Sequence, residues 1–223
     1  MFQIAAATVQ GRRHAQNLRN SQDAFALAER DGVLAAVACD GCGGAPHSEV
    51  GARLGARLVA DELIRSGGDL AVAEAAFLGH LTKTAKALGE AAADYLLFTV
   101  VGAVIARGEA TLFACGDGLY ALDGEARALG PFEEPPYPGY ALLGHAGSHG
   151  LEVLRRVPAS ALGSLALGTD GALDLLQDGL LGHLTKDELI YRNPDGLRRR
   201  LVQLRRQGLF ADDATLIVLR RAP

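Results

Sequence analysis

Two apolar runs in this chain stop at the same dipeptide. Residues 33–39 end in Asp40-Gly41, and residues 165–169 end in Asp170-Gly171; a third run, 214–219, begins just after Asp212. Such runs read as strands. A carboxylate at a strand end is held on a rigid element, and the neighbouring glycine leaves the backbone open to approach. Carboxylates brought together repel unless a cation sits among them. With no His or Cys cluster beside them the ligand set is all oxygen, which suits Mg²⁺ or Mn²⁺ and not Zn²⁺. By itself, Asp-Gly at a strand end also reads as an ordinary turn.

The chain has 223 residues, 49% of them hydrophobic, and a net charge of −4. This length and composition support one globular domain over 1–223 with a sizeable core, and they exclude a mainly disordered chain. The 28 glycines are scattered and no heptad runs far, which excludes collagen and coiled coil. The charge balance offers no footprint for nucleic acid. Only three lysines occur (Lys83, Lys86, Lys186), an arginine bias typical of a GC-rich genome. Three cysteines, Cys39, Cys42 and Cys115, are too few and odd in number for a disulfide framework. The N-terminal charges follow the first apolar run, the reverse of a signal peptide, and no run is long enough to span a membrane. The expectation is a cytoplasmic protein.

Periodicity and turn residues predict strands at 1–9, 24–28, 33–39, 96–106, 110–115, 119–122, 151–157, 164–169 and 214–221. Asp31-Gly32 marks a hairpin. A basic loop covers 11–21. A helix capped by Ser48 runs through Ile64, a second capped by Asp69 runs to about Asp94, a short one covers 172–181, and 186–207 is helical with a break at Asn193-Pro194. Residues 130–150, with four prolines, read as loop. Helices grouped between two runs of strands indicate an α+β fold.

Six segments, in order, carry a resemblance. They are SQDAFAL at 21–27, VACDGCGG at 37–44 followed by SEVGARLGA at 48–56, FTVVGAVIA at 98–106, ACGDGLYAL at 114–122, LALGTDGALDLL at 165–176 and DDATLIVL at 212–219. Together they resemble the metal-dependent protein phosphatase 2C family in a compact bacterial form. Glu49 also falls where that family's helix-opening Glu lies. The resemblance implies a four-layer αββα sandwich of two antiparallel β-sheets flanked by helices. It implies a serine/threonine protein phosphatase with two Mn²⁺ or Mg²⁺ ions and a third held weakly. Asp40 would bridge both metals, with the Gly41 carbonyl on one; Asp170 and Asp212 would complete the other. Asp212 is preferred to Asp213 because it stands three residues before Thr215. Asp23 would be a metal ligand or lie just outside the ligands and hold metal-bound water, and Asp117 matches the position linked to the third metal. Two cations about 3.5–4 Å apart would acidify a bridging water for in-line attack on phosphorus, with no phosphoenzyme. The implied partners are a phosphorylated protein substrate of a bacterial serine/threonine kinase, with no nucleic acid and no membrane, for a monomeric enzyme.

Three departures stand out. The family's phosphate-gripping Arg falls at Leu18, with Arg19 one residue late; Arg12, Arg13 and Arg19 are the substitutes, and Arg19 is the one assigned to catalysis. Gln22 replaces a metal-binding Glu found in animal members. Cys42 replaces a proposed general-acid His. A short flap is expected near 135–143.

Other readings compete. The misplaced arginine motivates a degenerate phosphatase fold that binds phosphoproteins or regulates a signalling partner. Cys39-x-x-Cys42 has redox or zinc spacing, but Cys39 reads as a buried strand residue. Gly41–Gly44 lacks the Lys-Ser/Thr ending of a P-loop and the spacing of a dinucleotide site. A metal phosphodiesterase would need His-rich ligands. His14 and His47 flank the site in sequence and are general acid–base candidates; His80 reads as structural. Tyr137 and Tyr140 either touch substrate or pack over the loop. The arginines 198–200, 205 and 206 read as a solvated helix face or as a docking surface for an acidic partner.

Overall fold

The computed structural model describes residues 1–147 and 149–222. Two five-stranded antiparallel sheets carry the architecture. The first holds β1 (Phe2–Val9), β6 (Gly118–Leu122), β7 (Glu125–Leu129), β9 (Ser164–Gly168) and β10 (Ala214–Arg221), in the order β1-β10-β9-β6-β7. The second holds β2 (Ala24–Arg30), β3 (Val33–Cys39), β4 (Val100–Ala106), β5 (Glu109–Cys115) and β8 (Glu152–Pro158), in the order β2-β3-β4-β5-β8.

The central strands are apolar on both faces because both faces are covered. In β3, Leu34, Ala36 and Ala38 join a core between the sheets, with Val101, Leu112, Leu165, Leu167, Ile217 and Leu219. The alternate residues Ala35, Val37 and Cys39 face a second core, formed with α2 (Ser48–Arg65) and α3 (Leu70–Leu88). In β10, Ile217 and Leu219 face the inter-sheet core, while Leu216 and Val218 pack in a third core with α6 (Leu180–Lys186), α7 (Glu188–Arg192) and α8 (Gly196–Arg206). The period of two along each strand therefore builds four layers, the expected αββα sandwich. No helix among the described residues is long and apolar enough to cross a membrane.

The strand alternation also places the polar ends. Asp40 continues the parity of Ala36 and Ala38, and Asp23 lies one residue before Ala24, whose side chain faces α2. Thr169 and Thr215 continue the inter-sheet parity of Leu167 and Ile217. All four thus belong to the seam where the sheets meet at one edge.

Several elements differ from expectation. The basic loop 11–21 contains a short helix, α1 (Arg12–Gln16), whose first amides donate to Phe210 O (3.2 Å) and Ala211 O (3.0 Å). A distant backbone satisfies that helix start, so local sequence could not signal it. Ser48 does not cap α2. Its side chain is fully buried, and Oγ donates to Cys42 O at 2.9 Å instead; His47 occupies the cap position. Asp69 does cap α3, accepting from Val72 N at 3.1 Å. That helix stops at Leu88 because Gly89 turns at φ 60°; a 3₁₀ turn and α4 (Ala92–Leu96) follow, so β4 starts at Val100 and not at 96. Residues 170–179 form a 3₁₀ segment, kinked where Asp178 and Gly179 take positive φ, before α6. The unexpected β7 is a charged, largely exposed edge strand without an apolar pattern. In the proline-rich stretch, α5 spans Tyr140–Leu143.

Candidate metal centre

Six chain segments at the seam converge on one cavity of about 170 Å³. Its wall includes Asp40, Gly41, Asp117, Asp170, Asp212, His14 and Tyr137. The structure thus brings together Asp40, Gly41, Asp117, Asp170 and Asp212, which are up to 172 residues apart (212 − 40). Asp23 lies beneath the wall, and Arg19 lies beside it.

Each carboxylate owes its place to a specific local device. Asp40 leaves β3 with its carbonyl accepting from Thr99 N (2.8 Å), so the strand end stays tied to the approach to β4. Gly41 is wedged against α2: a Cβ there would lie 2.8 Å from the Ser48 backbone. Gly171 is tighter still, with a Cβ position 1.9 Å from Asp213 O, so the turn after Asp170 packs directly on the strand entrance that carries Asp212. Asp117 sits in the β5–β6 turn between two glycines of positive φ.

Asp23 is 3% exposed, and its Oδ2 accepts from Thr169 Oγ1 at 2.7 Å. Its Oδ1 is buried with no hydrogen-bond partner among the described residues. Burial raises its pKa to about 7. Asp40 is raised well above the usual carboxylate range, first by burial and then by the charges of Asp23 and Asp170. Asp117 is pushed up to about 6 by burial and by Asp170. Asp170 is raised by burial, with Asp212 adding to the shift. Each of these four carboxyls is therefore harder to ionise than a free one. An unpartnered buried oxygen, crowded carboxylates and an oxygen-rich wall fit hard divalent cations.

Asp213 behaves differently from its neighbour. Asp212 reaches the cavity and is partly exposed, whereas Asp213 is 2% exposed and occupied. Its Oδ1 accepts from Gly11 N (2.6 Å); its Oδ2 accepts from Gln22 N (2.7 Å) and lies 2.7 Å from His14 Nδ1. Of the two adjacent acids, Asp212 lines the cavity and Asp213 does not. His14, Asp212 and Asp213 nevertheless form a compact group with ligand atoms within 4.8 Å of one another.

Gln22 lines the cavity, and its Oε1 is buried without a hydrogen-bond partner among the described residues. Its Nε2 donates to Ser48 Oγ (2.6 Å), Ala45 O and Cys42 O, closing the loop after Gly41. Arg19 donates from Nη1 to Gly43 O at 3.0 Å, at the rim of that loop. Arg12 and Arg13 are exposed, on α1. Leu18 is 95% exposed with φ 54°. On the other wall, Pro135 and Tyr137 line the cavity; Gly139, two residues on, packs against Leu96, where a Cβ would lie 2.2 Å from the carbonyl oxygen. Tyr137 packs edge-on to Tyr140 at 5.1 Å, and burial raises its hydroxyl pKa. Cys42 lines the cavity, while Cys39 is a buried strand residue, so the Cys-x-x-Cys spacing makes no joint site. His47 stacks against Tyr95 (4.8 Å) and His80 lies 3.2 Å from Glu62. The parts that sequence reasoning underweighted are Thr169 and the Asp213–His14 pair; the doubled Asp212-Asp213 was the available signal.

Residues 10–202 match the model of the family described as protein phosphatase 2C. No curated protein sequence is detectably similar to the chain. Among solved structures, the Mycobacterium tuberculosis serine/threonine phosphatase PstP/Ppp superimposes with a TM-score of 0.64 at 17% identity, covering 100% of this chain and 99% of that one. Serine/threonine phosphatase Stp1 from Staphylococcus aureus gives 0.64 at 18% identity, with coverage of 100% and 96%. PppA, a regulatory component of T6SS in Pseudomonas aeruginosa, gives 0.64 at 21% identity, with coverage of 98% and 97%. At these identities the superpositions establish the shared fold.

Proposed function

The chain belongs to the protein phosphatase 2C family, and from that premise we propose how it works as a serine/threonine protein phosphatase. The observation that carries the reading is the convergence of Asp40, Asp117, Asp170 and Asp212 on one cavity, three of them with pKa values raised by burial and by one another. A module that only binds phosphoproteins gains nothing from crowding these acids, whose ionisation opposes folding.

In this reading Asp40, the Gly41 carbonyl, Asp170 and Asp212 hold two Mn²⁺ or Mg²⁺ ions, and Asp117 helps to hold a third. When bound, such ions neutralise the phosphoryl oxygens and acidify water. Asp23, anchored by Thr169, orients the attacking water through its unpartnered Oδ1. Arg19, tied to Gly43 O, brings positive charge to the rim where a phosphoryl group would enter. Pro135 and Tyr137 screen one side of the cavity from solvent. Water oxygen bonds to phosphorus as the bond to the serine or threonine oxygen breaks; the attacking water gives up one proton and the departing oxygen takes one up, so the products are the free hydroxyl and inorganic phosphate. The substrate is a phosphorylated protein made by a bacterial serine/threonine kinase. The enzyme acts as one domain over 1–223, as a monomer in the cytoplasm.

Hydrolysis of a phosphothreonine peptide tests this. Turnover should require Mn²⁺ or Mg²⁺, stop with EDTA, and fall at least about a thousandfold in Asp40→Asn. Folded, metal-saturated protein with no turnover on several phosphopeptides would overturn the reading.

A further inference from the structure

We propose that His14 is a nitrogen ligand of the metal centre, binding through Nε2 while Asp213 holds Nδ1. The inference rests on the metal-centre reading above and changes its chemistry: the donor set is then not oxygen alone.

The argument starts from Asp213. This carboxylate is almost fully buried, and three donors surround it: Gly11 N at 2.6 Å, Gln22 N at 2.7 Å and His14 Nδ1 at 2.7 Å. Both oxygens of Asp213 already accept backbone N–H groups, so the contact with His14 is read as a bond that Nδ1–H donates. The lone pair is thereby assigned to Nε2, for which no protein partner is found among the described residues. The imidazole side chain is 11% exposed and forms part of the wall that carries Asp40, Asp170 and Asp212. Its Nδ1 lies 3.9 Å from Asp212 Oδ1, so ring and carboxylate sit side by side at the cavity.

A buried carboxylate that fixes a histidine tautomer through Nδ1–H, leaving Nε2 free, is the usual support of a metal-bound imidazole. The same arrangement explains the division of labour in Asp212-Asp213: one carboxylate faces the cavity, and the next is spent on positioning. Asp213 has no free acceptor direction comparable to that of Asp212, so it is a positioning residue and not a ligand. The alternative assignment, a doubly protonated ring donating to a phosphoryl oxygen, would place a third positive charge beside two cations. An imidazole in the set favours Mn²⁺ over Mg²⁺, because nitrogen donors suit transition metals and Mg²⁺ prefers oxygen.

The test is spectroscopic and uses the intact protein. Wild type is loaded with Mn²⁺ and examined by electron spin-echo envelope modulation, once with natural histidine and once with ¹⁵N-histidine. A ¹⁴N modulation that converts to ¹⁵N on labelling is expected, and His14 is the histidine in the cavity wall. In His14→Gln, checked for native circular dichroism, the modulation should vanish and the Mn²⁺-over-Mg²⁺ preference should fall about tenfold. Bound Mn²⁺ without histidine coupling in wild type overturns the proposal and leaves the metal centre standing. Failure of wild type to bind Mn²⁺ at all removes the metal-centre reading and this proposal with it.

Discussion

Thr169 donates its hydroxyl to Asp23 across 2.7 Å, joining the end of β9 in one sheet to the start of β2 in the other. The same Oγ1 accepts from Thr215 N at 2.9 Å, so one buried hydroxyl also ties β9 to β10. The site is assembled where the two sheets are stitched, and the stitch carries the acid with the unpartnered oxygen.

Thr169→Val keeps the shape and removes both hydrogen bonds. Asp23 Oδ2 and Thr215 N are then buried without partners, which should cost about 2–4 kcal/mol of unfolding free energy. Urea denaturation measures it; a loss below about 0.5 kcal/mol would show that the stitch is not structural.

The raised carboxyls predict an inverted pH profile for the metal-free protein. Asp23 rises from 3.8 to about 7 and Asp117 from 3.8 to about 6. Between these limits the folded state binds more protons than the unfolded state, so stability falls as pH rises. The contribution is complete below about pH 4 and is lost as pH climbs through 6 and 7. Melting temperature in EDTA should therefore decrease across that window. Saturating Mn²⁺ should reverse the slope, since binding requires the deprotonated acids. A rising profile in EDTA would contradict the crowding of these groups.

Asp40→Asn separates catalysis from folding. Removing a buried charge that faces Asp23 and Asp170 should leave the metal-free protein at pH 8 at least as stable as wild type, and more stable by about 1 kcal/mol or more. The increase in melting temperature that Mn²⁺ gives wild type should largely disappear, because that increase reports ligand binding to the native state. Calorimetry with and without Mn²⁺ reads both; a variant still stabilised fully by Mn²⁺ would remove Asp40 from the ligand set.

Two glycine substitutions should have opposite signs. Gly171→Ala forces a Cβ into Asp213 O, so Asp170 must move away from the β10 entrance; we expect about 2 kcal/mol or more of lost stability and at least tenfold weaker Mn²⁺ binding. Gly182→Ala lies within α6 with nothing within 4 Å of the new Cβ, and should stabilise by up to about 1 kcal/mol without touching Mn²⁺ affinity. Equal effects from the two would show that the close approach at Gly171 does not position the site.

Much of this protein was written locally. The apolar runs of β3, β9 and β10 announce strands because each position along them is buried on one face or the other, and the Asp-Gly stops mark where β3 and β9 leave the core. Asp31-Gly32 and the Asp69 cap are short-range hydrogen-bonding and turn devices, so they too are legible one segment at a time. The six segments together marked the family, and with it the residues 40, 117, 170 and 212. What the tertiary structure alone decided depends on atoms far apart in the chain. The helix α1 exists because Phe210 and Ala211 accept its first amides. Ser48 left its cap position because Gln22 and Cys42 bond its hydroxyl. Asp213 became the buried holder of His14 because Gly11 and Gln22, about 200 residues earlier, point their amides at it. Pattern reports which face of an element is buried; only the folded chain decides which donor meets which carboxylate, since a hydrogen bond depends on distance and direction between groups that sequence spacing does not relate.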